Sequence, residues 1–342
     1  MQKCKLGSVG LFMEKHLFAG ASTHLGFIDF FEYVMSLEKA KKRYFLKGSS
    51  GSGKNTFLRK ILAEHENTEE LFELFHCAND PNSLDAIAIP SLGLSVMDAT
   101  PPHSHDPQIP IAIDKIIDFA HFIDEKKISA HVKTLKQLYI DKKNSRKKIN
   151  DYLVSLHNLY CAENSTTDEY AISELVQKYS TKIITNSNST EGIDRKLFLS
   201  AITPEGFITF VDSYFDDTQT VYGLGNSYVA NNLFLCMLRD NALRYGIDTE
   251  SFYNPLDPTT IEHLHLPALS TAFVSNGDFG YKREVTEQIL PNSSETSDLF
   301  KRMLALVVNA MNESNAIHCK IENLYIKAMK FEGLNQVKLL IE

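Results

Sequence analysis

Tryptophan is absent from this chain, and cysteine occurs only five times in 342 residues. The five (Cys4, Cys77, Cys161, Cys236 and Cys319) are far apart and odd in number, and no C-x-x-C pair occurs. That excludes a disulfide framework and a thiolate zinc knuckle, and it predicts a reduced, cytoplasmic protein. Long apolar runs are also missing. Nothing approaches the ~18 apolar residues of a membrane span, and Glu14 and Lys15 interrupt the N-terminal stretch where a secretory signal would need to be apolar. Excess positive charge is lacking too. The net charge of −8 withholds any general attraction for nucleic acid. Hydrophobic residues at 43% supply a core, and the length predicts two domains.

The chain repeats itself. Residues 17–30 read LFAGASTHLGFIDF and residues 197–210 read LFLSAITPEGFITF, identical at eight of fourteen positions at an offset of 180. Further on the match resumes at an offset of 177. Gly48 meets Gly225, Phe57-Leu58 meets Phe234-Leu235, Phe75 meets Phe252, Asp80-Pro81 meets Asp257-Pro258, and Pro90 meets Pro267. Polar, Gly and Pro identities held at one spacing indicate a duplicated domain, and the period is too long for a solenoid.

Each half should open with a short apolar strand and then a helix starting at its Gly-Phe-Ile. In the first half Arg43–Leu46 reads as a buried strand, and Lys54–Glu64 carries apolar residues at helical spacing (Phe57, Leu58, Ile61, Leu62). Short strands follow at 71–76, 86–89 and 94–97. Alternating strands and helices predict an α/β fold with mostly parallel sheets. Residues 112–182 and 285–342 are charged and helical in period. The expected organisation is therefore an α/β unit over 1–112, a helical appendage over 113–185, a second α/β unit over 186–284 and a C-terminal helical segment over 285–342. Asn186–Gly192 is the linker candidate.

The chemistry-bearing motif is G-x-x-x-x-G-K, met by Gly48, Gly53 and Lys54 between the predicted strand and helix. With Ser49, Ser50, Gly51, Ser52, Asn55 and Thr56 it forms a P-loop-like segment. Glycines let backbone N–H groups converge on phosphate, the helix N-terminus adds positive potential, and Lys54 would reach the terminal phosphates. This predicts a P-loop NTPase-like fold binding a nucleoside triphosphate, ATP first. The residue after the lysine should be Ser or Thr to ligate magnesium, and here it is Asn55. Its amide oxygen can ligate, but poorly, so the magnesium site built from Asn55 and Asp98 should be weak, and hydrolysis with it. Asp98 ends an apolar strand and is the candidate second acidic group; a strand-terminal turn is its other reading. Asp80, Ser83 and Asp85 either bind a second substrate or position water, or simply cap their own loop. His103 and His105 sit two apart in a Pro-rich loop, a pattern more often ordinary surface than metal site. In the second half the loop has become Gly225 to Leu233, with Tyr228 for Gly51, Ala230 for Gly53, Asn231 for Lys54, and Ser275 for Asp98. That half keeps the fold signal and loses the phosphate signal.

With both halves in view, the chain resembles an uncharacterised family of bacterial, duplicated P-loop ATPase-like proteins. The resemblance rests on HLF…GF at His16–Phe27, the P-loop, HC…D-x-x-SLD…IP-x-L at His76–Leu92, D-x-T-x-P-H at Asp98–His103, and H-x-x-x-E-x-x-Y-x-x-A-M-x-F at His318–Phe331. It implies ATP binding and a bacterial cytoplasmic setting. Asn55 and the dismantled second loop depart from the family pattern.

Residues 126–148 carry nine Lys and Arg side chains, including Lys142 and Arg146. Without interleaved aromatics they read as a solvated helical face rather than a nucleic-acid surface. His318 and Glu322, four apart, share a helix face. Three functions fit: an NTPase or small-molecule kinase, a nucleotide-regulated assembly protein with partners on its helices, or a duplicated scaffold.

Overall fold

The structure is a computed structural model that describes residues 13–65, 68–163, 167–184, 190–225, 227–276, 279–290 and 297–336. The first half contains β1 (Met13–Leu17), β2 (Gly20–Thr23), β3 (Gly26–Asp29), β4 (Lys42–Lys47), α1 (Lys54–Glu64), β5 (Leu71–Cys77), β6 (Asp80–Ile89), β7 (Leu94–Asp98) and β8 (Asp114–Asp118). Then come α2 (Glu125–Ser129), α3 (Val132–Glu163) and α4 (Glu169–Ile183). The second half contains β9 (Asp194–Leu197), β10 (Ser200–Thr203), β11 (Gly206–Thr209), α5 (Val211–Tyr214), β12 (Thr220–Gly223), α6 (Tyr228–Arg244), β13 (Thr249–Tyr253), β14 (Ile261–Leu266), β15 (Thr271–Val274), β16 (Glu287–Gln288) and α7 (Asp298–Ala328).

The two six-stranded sheets have the same topology. One is ordered β1-β5-β6-β7-β4-β8 and the other β9-β13-β14-β15-β12-β16. In each, one strand (β6 or β14) runs against the rest. The fold is thus α/β, two mostly parallel mixed sheets with helices, matching the duplication read from the repeat.

Two expectations need correction. The Gly-Phe-Ile segments are strands, not helix starts. Gly26 lies at φ +101° and Gly206 at φ +114°, so each closes a tight hairpin turn that an α-helix cannot follow. Thr23 and Thr203 lock these turns by donating to the carbonyls of Gly26 and Gly206. The α/β units also outrun their expected ends. β8 pairs with β4 beyond residue 112, and β16 pairs with β12 beyond residue 284. The linker candidate lies partly outside the described residues, at 186–189.

Helices stand in both stretches expected to be helical, and the two longest pack across the halves. α3 and α7 pack antiparallel on each other: Ser145 donates to Ser314 at 2.8 Å and Lys148 pairs with Glu313 at 2.6 Å. Ile149, Leu153, Leu156, Val307, Ala310 and Met311 fill the seam. α7 begins in the second half and ends on the first, where Asp124 N donates to the Ala328 carbonyl and Lys330 N to that of Phe122. α3 leaves the first half and ends on the second, with His157 on the Leu256 carbonyl. Each helix therefore crosses to the opposite half.

The halves meet through equivalent residues. Phe18 and Phe198, partners in the repeat, exchange both backbone hydrogen bonds, at 2.9 and 3.1 Å. A segment paired with its own equivalent is the mark of a two-fold relation. One buried core joins the sides, with Leu17, Ala19, Phe75 and Met97 from one and Leu197, Leu199, Phe252 and Val274 from the other. Charge is settled there by Arg195, which forks onto Glu73 at 2.6 and 2.7 Å, reaches Glu250 at 3.2 Å, and donates to the carbonyls of Tyr33 and Val34. Burial works to raise the Glu250 carboxyl, but hydrogen bonds from His265 and Tyr214 and the charge of Arg195 outweigh it and hold it at about 2.

Arg195→Ala leaves Glu73 and Glu250 without their shared cation. Breaking a buried pair from one side costs about 3–5 kcal/mol. We expect a large fall in the urea midpoint on that scale, with Arg195→Lys intermediate because Lys lacks the two-pronged fork. A midpoint unchanged by Arg195→Ala would refute the role.

Candidate functional site

β4 is apolar and buried at Tyr44, Phe45 and Leu46, lies between β7 and β8, and delivers the chain into the loop 48–53. Gly51 sits at φ +74° and Gly53 at φ +93°, left-handed conformations that only glycine adopts cheaply. Gly53 then caps α1, whose first residue is Lys54. Lys54 is 8% exposed. Its Nζ donates to the carbonyls of Gly48 and Ser49 at 2.8 and 2.9 Å, and stands 3.5 Å from Asp98 Oδ2. The hydroxyls of Ser49 and Ser52 are buried and have no hydrogen-bond partner among the described residues. Thr56 is exposed.

Asp98 ends β7, as its position predicts. Its Oδ1 accepts from the backbone N–H and hydroxyl of Thr100, leaving Oδ2 for Lys54. Asp85 comes from the neighbouring β6. Burial, with the Asp98 charge nearby, pushes its carboxyl up to about 6, against the opposing pull of His103 and Lys54. His103 donates from Nδ1 to the Asp98 carbonyl and points Nε2 at Asp85, 3.7 Å away. Asp85, Asp98 and His103 each offer a ligand atom within 4.8 Å of the others. His105 does not join them; it pairs with Asp29 at 3.2 Å.

Asn55 does not face this group. Its amide oxygen accepts from Leu84 N at 3.1 Å and its NH2 donates to Ser83 at 3.3 Å. The side chain ties α1 to β6. Asp80 and Ser83 mainly cap their own turn, hydroxyl to carboxylate at 2.5 Å. Of the three residues grouped at this strand, Asp85 faces Asp98 and His103, while Asp80 acts on His318 and Glu322.

Four further residues converge from the crossing helices. A Cβ on Gly51 would lie 2.8 Å from the Glu322 carbonyl oxygen and 2.9 Å from Ile326, so α7 passes directly over the loop. Beside Glu322, His318 accepts from Lys142 of α3 at 2.5 Å. Burial and the charge of Arg146 press Lys142 down to about 8. Burial and the charges of Lys142, Arg146 and Lys54 hold His318 at about 4. Burial raises the Glu322 carboxyl, helped by Asp80. Lys54, Lys142, Arg146 and His318 thus lie near one another, with Asp98, Asp80 and Glu322 as their nearby carboxyl groups. His318 and Glu322 were visible as a spaced pair, but only the crossing of α7 brings them to the loop. Lys142 was hidden among nine similar charges.

The second half keeps this framework without its charge. Asn231 occupies the place of Lys54, donating to the Gly225 carbonyl at 3.1 Å and to Ser275 at 2.8 Å. These partners are the counterparts of Gly48 and Asp98. Tyr228, at the place of Gly51, stacks on Tyr160 of α3 with ring centroids 4.6 Å apart. Two aromatic rings thus sit where the first half presents a glycine to α7.

No helix among the described residues is long and apolar enough to cross a membrane. Comparison with protein-family models, curated proteins and solved structures finds no match for the chain.

His76 and His318 should govern the acid side of stability. Burial comes first in lowering both to about 4, from 6.5. The unfolded chain binds more protons between these values, so stability falls as pH drops through that window. Asp85 works the other way, its contribution fully present below its unfolded pKa and lost as pH rises through about 6. With His16 and His24 also lowered, the histidines should outweigh the raised carboxyls of Asp85, Glu322 and Asp194 and lower the urea midpoint at pH 5 relative to pH 7. His318→Gln should flatten the decline, and an equally steep decline in that variant would contradict the assignment.

Proposed function

We propose that the chain binds a nucleoside triphosphate, ATP first, on a P-loop formed by Gly48, Ser49, Ser50, Gly51, Ser52, Gly53, Lys54, Asn55 and Thr56. The fold would then be a P-loop NTPase-like unit duplicated, as in the bacterial family the sequence resembles. The observation that carries this reading is the group of basic side chains beside the loop. Lys54, Lys142, Arg146 and His318 share one space, two of them pressed toward the neutral form, beside two buried serine hydroxyls without partners. A polyphosphate answers both deficits. Its charge relieves the repulsion, and its oxygens accept from the hydroxyls and loop N–H groups.

A magnesium ion brought with the nucleotide would be held by Asp98 and Asp85, with His103 alongside, and not by Asn55. Such an ion neutralises charge developing on the transferred phosphoryl. Lys54 would position the phosphates.

One observation favours a regulatory reading of the same site, with inefficient turnover. α7 lies against Gly51, so a nucleotide filling the loop must displace or tighten the helix. Because α7 is paired along α3, occupancy in one half would be felt at the other.

Thermal unfolding with ATP, ADP, GTP and GDP tests binding. Ligand at one hundred times its dissociation constant adds about 2.7 kcal/mol of stability, a shift that Lys54→Ala should abolish. No shift with any of the four sinks the reading.

Lys142 gives a second expectation. At about 8 it is partly neutral in mildly alkaline solution, and a bound polyanion restores its proton. Triphosphate affinity should weaken as pH rises past 8, with proton uptake on binding, and Lys142→Met should remove both. Calorimetry in buffers of different ionisation enthalpy reads the uptake directly.

A further inference from the structure

α3 turns one ridge inward and the opposite side to solvent. Leu135, Ile149, Leu153 and Leu156 are buried. At 3.6 residues per turn, Val132, Lys133, Lys136, Ile140 and Lys143 fall on the far side of the helix, with Tyr139 at the edge of that arc. All six are exposed, Ile140 by 52%, Tyr139 by 49% and Val132 by 43%. We propose that this arc of α3 docks on the surface of a bilayer that contains anionic lipid.

The charge selects an anionic partner. Lys133, Lys136 and Lys143 form no ion pair among the described residues. Lys147, one turn beyond, pairs with Asp151 at 2.8 Å, and both of these are exposed. Together α3 and α7 carry eleven Lys and Arg against six Asp and Glu, in a chain whose net charge is −8. A molecule polarised in this way turns its helical pair toward a negative surface.

The apolar side chains decide which negative surface. Ile140 stands between Lys136 and Lys143 on successive turns of one ridge. The phosphates of a duplex offer Val132 and Ile140 nothing, and a single tyrosine makes no stacking platform. A second copy of the chain laid on the same arc would set lysines against lysines. A bilayer interface accepts both kinds of side chain. Apolar groups enter the boundary between headgroups and acyl chains, while lysine stems lie along it and their ammonium groups reach the lipid phosphates. The arc from Val132 to Lys143 is roughly 17 Å long at 1.5 Å per residue, and the helix would lie in the plane of the surface. No helix among the described residues is built to cross, so the attachment is peripheral. Docking here uses none of the loop residues and stands apart from nucleotide binding.

The test floats the full chain with vesicles of phosphatidylcholine alone or mixed equally with phosphatidylserine, and runs it against duplex DNA in parallel. We expect binding to the mixed vesicles only, weakening as salt rises. Lys136→Glu combined with Lys143→Glu should weaken it by at least ~10-fold. Ile140→Ser should weaken it several-fold, a loss that a purely electrostatic contact would not show. These positions are exposed, so the urea midpoints of the variants should match that of the unchanged chain. No binding to mixed vesicles, equal binding to phosphatidylcholine alone, or binding indifferent to these substitutions overturns the proposal. Duplex binding that the two lysine reversals remove and Ile140→Ser leaves intact overturns it in favour of nucleic acid.

Discussion

The antiparallel contact of Phe18 with Phe198 sets the arrangement of nearly everything else. A strand end that pairs with its own copy requires the two halves to face each other across a two-fold axis. Apolar ends of β1 and β9 then lie at the centre, and a shared core forms around them. Any charge at that seam must be settled locally. Arg195 does so by drawing Glu73 and Glu250, equivalent residues of the two β5-type strands, onto one guanidinium. Its counterpart by the repeat, Lys15, does less, reaching Asp217 at 3.4 Å and lying 4.7 Å over the Tyr214 ring. The pair of contacts is alike in place and unlike in strength, which is the pattern throughout the molecule.

The same axis explains why the site is composite. Hairpins and long helices leave each half on the side facing the other, so they land on the partner's loop. Glu205 of the second hairpin accepts from Asn82 of the first half at 2.7 Å, while His24 of the first hairpin lies beside Asp257. α7 covers the first loop and α3 the second. The basic residues around Lys54 are therefore supplied by helices whose sequences gave no sign of where they end.

What was legible in the chain follows a physical division. Local features were readable. α1 begins at Lys54 and ends at Glu64 as its apolar spacing predicts, and β4, β5 and β7 fall where buried runs place them. Duplication was readable because identities at one offset survive drift. The hairpins were misjudged because Gly-Phe-Ile has no distinctive period, and the deciding feature is the positive φ of one glycine. β8 and β16 were absorbed into helical stretches because edge strands of five and two residues carry too little pattern. Asn55 was weighed for ligation by type, whereas its actual work depends on the backbone N–H of Leu84, supplied by a strand nearly thirty residues away. Long-range convergence, as of Lys142 with His318, has no signature in a single sequence.

The replacement of Lys54 and Asp98 by Asn231 and Ser275 shows what a covalent duplication permits. In a dimer of identical chains, every substitution appears on both sides of the axis at once, and a residue that one site needs cannot be lost from the other. Joining the copies in one chain removes that constraint. One loop can keep its lysine while the other exchanges it for a neutral amide that makes the same hydrogen bonds without a charge to settle. Architecture stays symmetric because the core demands it, and chemistry is free to become one-sided.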